Sequence, residues 1–139
     1  MSAMSAKAFI DTNIFVYAAV QSPDSQKKRE VAVTLLNNPA RYVVSTQVLN
    51  EFAAVLLKNQ IGDNLIQDRV EAIVKECSVT AVDLKTIRLG WQIRQRYNLS
   101  YWDSLIAASA LLAGCSILYS EDMQNGLVID NTLRIVNPF

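Results

Sequence analysis

Histidine is absent from all 139 residues. That excludes serine or cysteine nucleophiles paired with histidine, helical His-Glu-x-x-His zinc sites and histidine acid–base relays. Whatever chemistry the chain performs must run on carboxylates, hydroxyls, amides and basic side chains. Glycine is scarce, at four residues, and no Gly-x-x-x-x-Gly-Lys occurs, so a glycine-rich loop wrapping phosphate is excluded as well. The two cysteines, Cys77 and Cys115, are far apart in the chain and lack ligand spacing; they read as small core hydrophobes. No apolar run reaches the roughly 18 residues of a membrane span, and no small-residue cleavage site follows the N-terminus, which points to the cytosol. Neither sign of charge dominates, with 13 Lys and Arg against 13 Asp and Glu. Net charge therefore announces no nucleic-acid or membrane partner, and any basic footprint is local.

What the chain does have is apolar content, at 51%, ample for the core of one domain spanning 1–139 behind a disordered N-terminus at 1–6. Its periodicity keeps switching between two and 3.6. "KAFID" reads as a strand, followed by a short helix from Asn13 to Val20. A helix from Ser22 to Asn37 opens on Ser22-Pro23. "RYVVS" is a strand, and "STQVLNEFAAVLLKNQIG" a helix closed by Gly62. A helix opened by Asp63, the strand "SVTAV" and a helix opened by Asp83 come next. "YWDSLIAASALLAG" is a helix closed by Gly114, and "CSILYS" and "LRIVN" are the last strands. This alternation predicts an α/β fold, a parallel sheet with helices on both faces.

In such sheets ligands bind just beyond the carboxyl ends of the strands, and Asp11 stands at that place, ending the first strand. It has two readings, a cap for the next helix or a functional acid. Asp122 follows the strand "SILYS". If the pleat continues, Ser120 and Asp122 point to one side and Glu121 to the other, into solvent. Glu51 lies only about 40° outside the apolar stripe Val48, Leu49, Phe52, Val55 and Leu56, at the edge of a buried face. Asp103 falls in the first turn of its helix, where Ser100-x-x-Asp103 also has capping-box spacing.

The segments "IDTNIF", "STQVLNEF", "YNLSYWDSLIAASAL" and "LYSEDMQNG", with the closing "LRIVNPF", together resemble the PIN domain, most closely its VapC-type toxin branch. The resemblance runs from Lys7 to Phe139. It implies a parallel sheet of about five strands and a metal-binding quartet of Asp11, Glu51, Asp103 and Asp122, supported by Thr12, Asn13 and Ser120. It also implies a Mg²⁺- or Mn²⁺-dependent ribonuclease, a small protein antitoxin as partner and a homodimer. The apolar stripes of the helices Ser22 to Asn37 and Thr46 to Lys58 leave room for a groove in which an amphipathic partner helix would dock. Electrostatics agrees with the metal site, because clustered carboxylates raise one another's pKa unless a cation joins them. Oxygen donors without His or Cys select Mg²⁺ or Mn²⁺ over Zn²⁺. Glu51, on a helix flank, is the candidate general base or second-metal ligand.

A nuclease also needs cations for phosphate. "DLKTIRLGWQIRQRYN" supplies Lys85, Arg88 and Arg96 on one helical face, with Arg94 nearby. Tyr97, Tyr101 and Trp102 are aromatic candidates for stacking, though packing in the core is the expectation for Trp102. Among rivals, a receiver-like domain would need a lysine ending its last strand, where this chain reads "LRIVNPF". A haloacid-dehalogenase-like phosphatase would need an aspartate where Asn13 stands. A PIN nuclease that is no toxin and a protein-binding domain without catalysis remain as alternatives.

Overall fold

The computed structural model describes residues 6–38 and 41–139. Of the expected disordered segment 1–6, all but the exposed Ala6 lies outside the described residues. Strand β1 (Lys7–Ile10) leads directly into helix α1 (Thr12–Ala19). A 3-10 turn (Pro23–Ser25) precedes α2 (Gln26–Leu36), so the helix expected from Ser22 is broken at its start. Strand β2 (Arg41–Ser45), α3 (Thr46–Lys58), α4 (Asp63–Glu76) and β3 (Ser78–Thr80) follow. Helices α5 (Leu84–Tyr97) and α6 (Tyr101–Leu112) then lead to β4 (Ile117–Tyr119), β5 (Val128–Ile129) and β6 (Leu133–Val136).

The sheet order is β3-β2-β1-β4-β6-β5. Five strands run parallel, and the short β5 adds antiparallel to β6. That sixth strand exceeds the expected five, and it comes from a tight turn. Asp130 and Asn131 both take positive φ, at 51° and 59°, a conformation these residue types tolerate, in the three-residue connection between the paired Ile129 and Leu133. Another boundary also moves. Gly62 does not close α3; Gln60 takes the left-handed conformation after it, and Gly62 caps the start of α4.

Phe9, Ile10, Val43 and Val44 are all buried. Successive strand residues face opposite sides, so the sheet is covered on both faces. Helix α1 packs on α2 and α3, and α3 on α4; α5 packs along α6, which lies against β2 and β4. Helix α6 is buried from Ser104 to Ala110. Gly90 of α5 allows that close packing, since a Cβ there would stand 3.0 Å from Leu105 Cδ2. Gly90→Val should therefore destabilise the fold by about 1–3 kcal/mol through overpacking, read as a lower urea midpoint. An unchanged midpoint would mean that the α5–α6 packing yields.

Candidate active site

Central strand β1 hands its last ladder bond to Asp11, whose N–H donates to the Tyr119 carbonyl of β4 at 3.0 Å. The chain turns there, with Asp11 in extended conformation as the cap of α1. Its Oδ1 accepts the Thr12 N–H at 2.7 Å, and its Oδ2 accepts the Ser120 hydroxyl at 2.8 Å. Capping and charge presentation thus fall to the same carboxylate. Asp11 is only 7% exposed. Burial pushes its carboxyl up to about 6 against the lowering pull of Ser120 and Thr12, with the charges of Glu51 and Asp103 adding to the rise.

The other three acids converge on this point from separate elements. Glu51, half-buried on α3, accepts the Thr12 hydroxyl at 3.2 Å. Burial raises its pKa, the hydrogen bonds from Thr12 and Gln47 lower it, and Asp103 and Asp122 raise it again. Asp103 is half-buried in the first turn of α6, and its N–H donates to the Ser100 hydroxyl at 3.1 Å. Burial raises its pKa too, opposed by Ser100 and reinforced by Asp122. Asp122, exposed beyond β4, accepts the Asn13 amide at 2.6 Å. Each polar neighbour expected as a support bonds one acid: Ser120 to Asp11, Thr12 to Glu51, Asn13 to Asp122.

As placed, no three acids among the described residues stand close enough to clasp one ion by themselves. The donor set nevertheless suits a hard cation: every candidate ligand is oxygen, and Mg²⁺ retains several waters while taking only one or two carboxylates. Mutual repulsion between the acids is what such an ion would relieve.

Glu121 departs from expectation. Instead of facing solvent, it pairs with Lys28 and accepts the Tyr17 hydroxyl at 2.6 Å. Burial pushes the Glu121 carboxyl up, but the bonds from Lys28 and Tyr17 outweigh it and hold its pKa below the usual range. Tyr17 in turn meets the Phe139 ring edge-on at 5.1 Å. This network pins the segment just before Asp122 to α1, α2 and the C-terminal end. Sequence spacing carried no signal for it. Trp102 also departs, standing 61% exposed rather than packed in the core. Of the basic set, Lys85 and Arg88 are exposed with no ion pair among the described residues, while Arg96 pairs with Asp130.

The PIN domain family model matches residues 8–124. The chain belongs to the PIN domain family. No curated protein matches its sequence. Among solved structures, it is similar to a toxin–antitoxin complex from Klebsiella pneumoniae, with 20% identity, TM-score 0.69 and coverage of 95% of this chain and 98% of that one. It is also similar to DNA-bound VapBC from Salmonella typhimurium, with 18% identity, TM-score 0.69 and coverage of 96% and 99%. A third is Mycobacterium tuberculosis VapC20, described as a sarcin–ricin loop cleaving toxin, with 19% identity, TM-score 0.65 and coverage of 83% and 89%. The structural neighbours of this PIN domain are thus VapC toxins of VapBC systems.

The buried aspartate of this PIN domain makes a pH prediction for the metal-free protein. A carboxyl that titrates near 6 when folded and near its ordinary 3.8 when unfolded binds its proton more tightly in the fold. Its contribution is therefore favourable while Asp11 is protonated and is lost as pH rises toward and through 6. The full penalty at neutral pH is ~3 kcal/mol. Relative to Asp11→Asn, metal-free wild type should lose about that much stability between about pH 4 and pH 7 in urea titrations. Parallel pH curves for the two proteins would contradict the burial of a charge at this position.

Proposed function

We propose that the protein is a Mg²⁺- or Mn²⁺-dependent endoribonuclease, a VapC-like toxin acting in the cytoplasm. The observation that carries this reading is the buried, proton-hungry Asp11 at the carboxyl end of the central strand, with Glu51, Asp103 and Asp122 around it. Asp11, Asp103 and Asp122 would hold the ion. A bound divalent cation supplies positive charge against a phosphoryl oxygen and acidifies water. Glu51 is suited to the proton: it is half-buried beside the other acids and opens on the adjoining cleft, where an attacking water could reach it. Its raised pKa brings it nearer the value a general base needs. Ser120 and Asn13 fix the orientation of Asp11 and Asp122 before substrate arrives, which limits the reorganisation the reaction must spend.

The reading includes a small protein antitoxin. Sequence pattern places an amphipathic partner helix between α2 and α3, but the large cleft, about 930 Å³, lies between α2 and α4 with Phe15 and Phe52 among its lining. Helix α3 contributes only Phe52 to that wall, its Val48 and Leu56 being buried in the core. Arg29 lines this cleft, and its Nε is shielded from solvent without a hydrogen-bond partner among the described residues. It suits a partner helix that brings a carboxylate or a free carbonyl. A partner arginine or lysine reaching the acids would pair with Asp11 or Asp103 in place of the ion. The toxin–antitoxin assemblies among the structural neighbours support this partner class. A homodimer through helices away from the acids belongs to the same reading, on the resemblance alone.

Purified wild type should cleave a short labelled single-stranded RNA only with Mg²⁺ or Mn²⁺ and arrest growth when expressed without a partner in bacteria. Asp11→Asn should stay folded and lose both activities, with cleavage down at least a hundredfold if the ion and its water supply most of the rate. Metal-stimulated cleavage by Asp11→Asn would refute the assignment; cleavage without growth arrest would remove only the toxin reading.

Lys85, Arg88 and Arg96 are proposed to hold RNA phosphates. Replacing all three by alanine should lower the slope of log affinity against log salt by about 1 for each phosphate no longer neutralised. Arg96, tied to Asp130, should contribute least. An unchanged slope returns all three to ordinary surface.

A further inference from the structure

Beside the acids a second cleft of about 500 Å³ opens, sharing Glu51 with them and lined also by Gln47, Asn50, Val82 and Trp102. Trp102 forms an open wall, 61% exposed. Its ring is propped rather than loose. Tyr101 meets it edge-on at 5.3 Å, and Trp91 rests against Tyr101 at 5.0 Å.

Gln47 is oriented by the same segment. Its amide nitrogen donates to the Trp102 carbonyl at 3.2 Å. The reversed amide would set carbonyl against carbonyl, so the orientation is chemically fixed. This leaves Gln47 Oε1 as an acceptor shielded from solvent with no hydrogen-bond partner among the described residues. Asn50, one helical turn further along α3, is exposed, and its side chain makes no hydrogen bond among them. A propped indole face, an acceptor in want of a donor and a free amide form a set that matches an unstacked nucleobase. Aromatic rings take the base face, and amide side chains read an edge that pairs an amino group with a ring nitrogen.

We propose that this cleft is a base-reading subsite for single-stranded RNA. It takes a nucleobase with an exocyclic amino group, stacked on Trp102 and read by Gln47 and Asn50, from a nucleotide flanking the phosphate held at the acids. Its position in the reaction rests on the nuclease reading; its binding chemistry does not. Uracil can meet the Gln47 acceptor only through its single N3–H, flanked by two carbonyl oxygens, and stacks less on an indole than adenine, so it is disfavoured.

The test measures binding and cleavage separately. In the Asp11→Asn background, fluorescence anisotropy with short labelled strands should show tighter binding of oligoadenylate than of oligouridylate. Adding Trp102→Ala should weaken oligoadenylate binding by about tenfold, and Trp102→Phe should restore most of it. Asn50→Ala should narrow the difference between the two strands. In the otherwise wild-type protein, Trp102→Ala should flatten the base preference beside the break in an unselected RNA pool, with the loss of cleavage falling on KM rather than kcat. Trp102-dependent binding by a protein that cuts nothing would support the subsite and remove the nuclease. Metal-dependent cutting with affinity and base preference unchanged in Trp102→Ala and Asn50→Ala would overturn the subsite and keep the nuclease. Equal affinity for the two strands would overturn the selection for an amino group, and no RNA binding by any form would overturn both readings.

Discussion

A carboxylate buried at the end of a central strand is costly unless something compensates it, and the architecture around Asp11 is organised by that constraint. β1 lies between β2 and β4, so the chain leaves the first strand toward one edge and returns on the other side. Such a switch in strand order opens a crevice at the carboxyl ends. Asp11 sits at its base, still bonded to β4 through its own N–H. The Thr12 N–H and the Ser120 hydroxyl meet one oxygen each, which satisfies geometry but does not cancel charge. Two neutral donors leave the pKa of Asp11 near 6; a positive charge would return it toward the normal range.

The remaining acids arrive on different kinds of element, and their environments differ accordingly. Asp122 leaves a strand end and is exposed, whereas Glu51 and Asp103 project from helices and are half-buried. Asp103 enjoys the positive end of α6 and the Ser100 hydroxyl, so part of its charge is compensated locally. Glu51 lies beyond the first turn of α3 and has hydroxyl and amide donors instead. The electrostatic pressure on the cluster therefore centres on Asp11, even though four acids share it.

Much of this was legible in the sequence for reasons of local geometry. Strand pleat places Ser120 and Asp122 on one side, and the structure has Ser120 on Asp11 and Asp122 on Asn13. Helical angle places Glu51 at the edge of a buried stripe, and it is half-buried there. Period and turn chemistry also found the alternation of strands and helices, though not the Asp130-Asn131 hairpin, whose two-residue strand is too short to show a period. What local rules could not supply was pairing across the chain. Lys28 reaches Glu121 over 93 residues, and no spacing rule anticipates that bond. Trp102 fails for a related reason. Its apolar size argues for the core, but the buried side of α6 from Ser104 onward is already filled by small and aliphatic residues, so the indole at the helix start is left outside.

Where the indole stands gives the acids a neighbourhood of a different kind. The crevice offers concentrated negative charge, which repels a polyanion until a cation intervenes. The adjoining cleft carries no charge of its own apart from Glu51, and presents an indole and two amide side chains instead. The two surfaces meet at α3, where Gln47 and Glu51 lie one turn apart. On the proposed reading, a base held on the neutral side fixes where the strand crosses the charged side. Binding strength and bond breaking then reside in separate residues. A partner that brings a cation to the carboxylates would compete with the metal directly, and with RNA only as far as it covers Trp102. On that reading inhibition and substrate choice would be separable, because one would depend on charge at Asp11 and the other on the uncharged wall beside it.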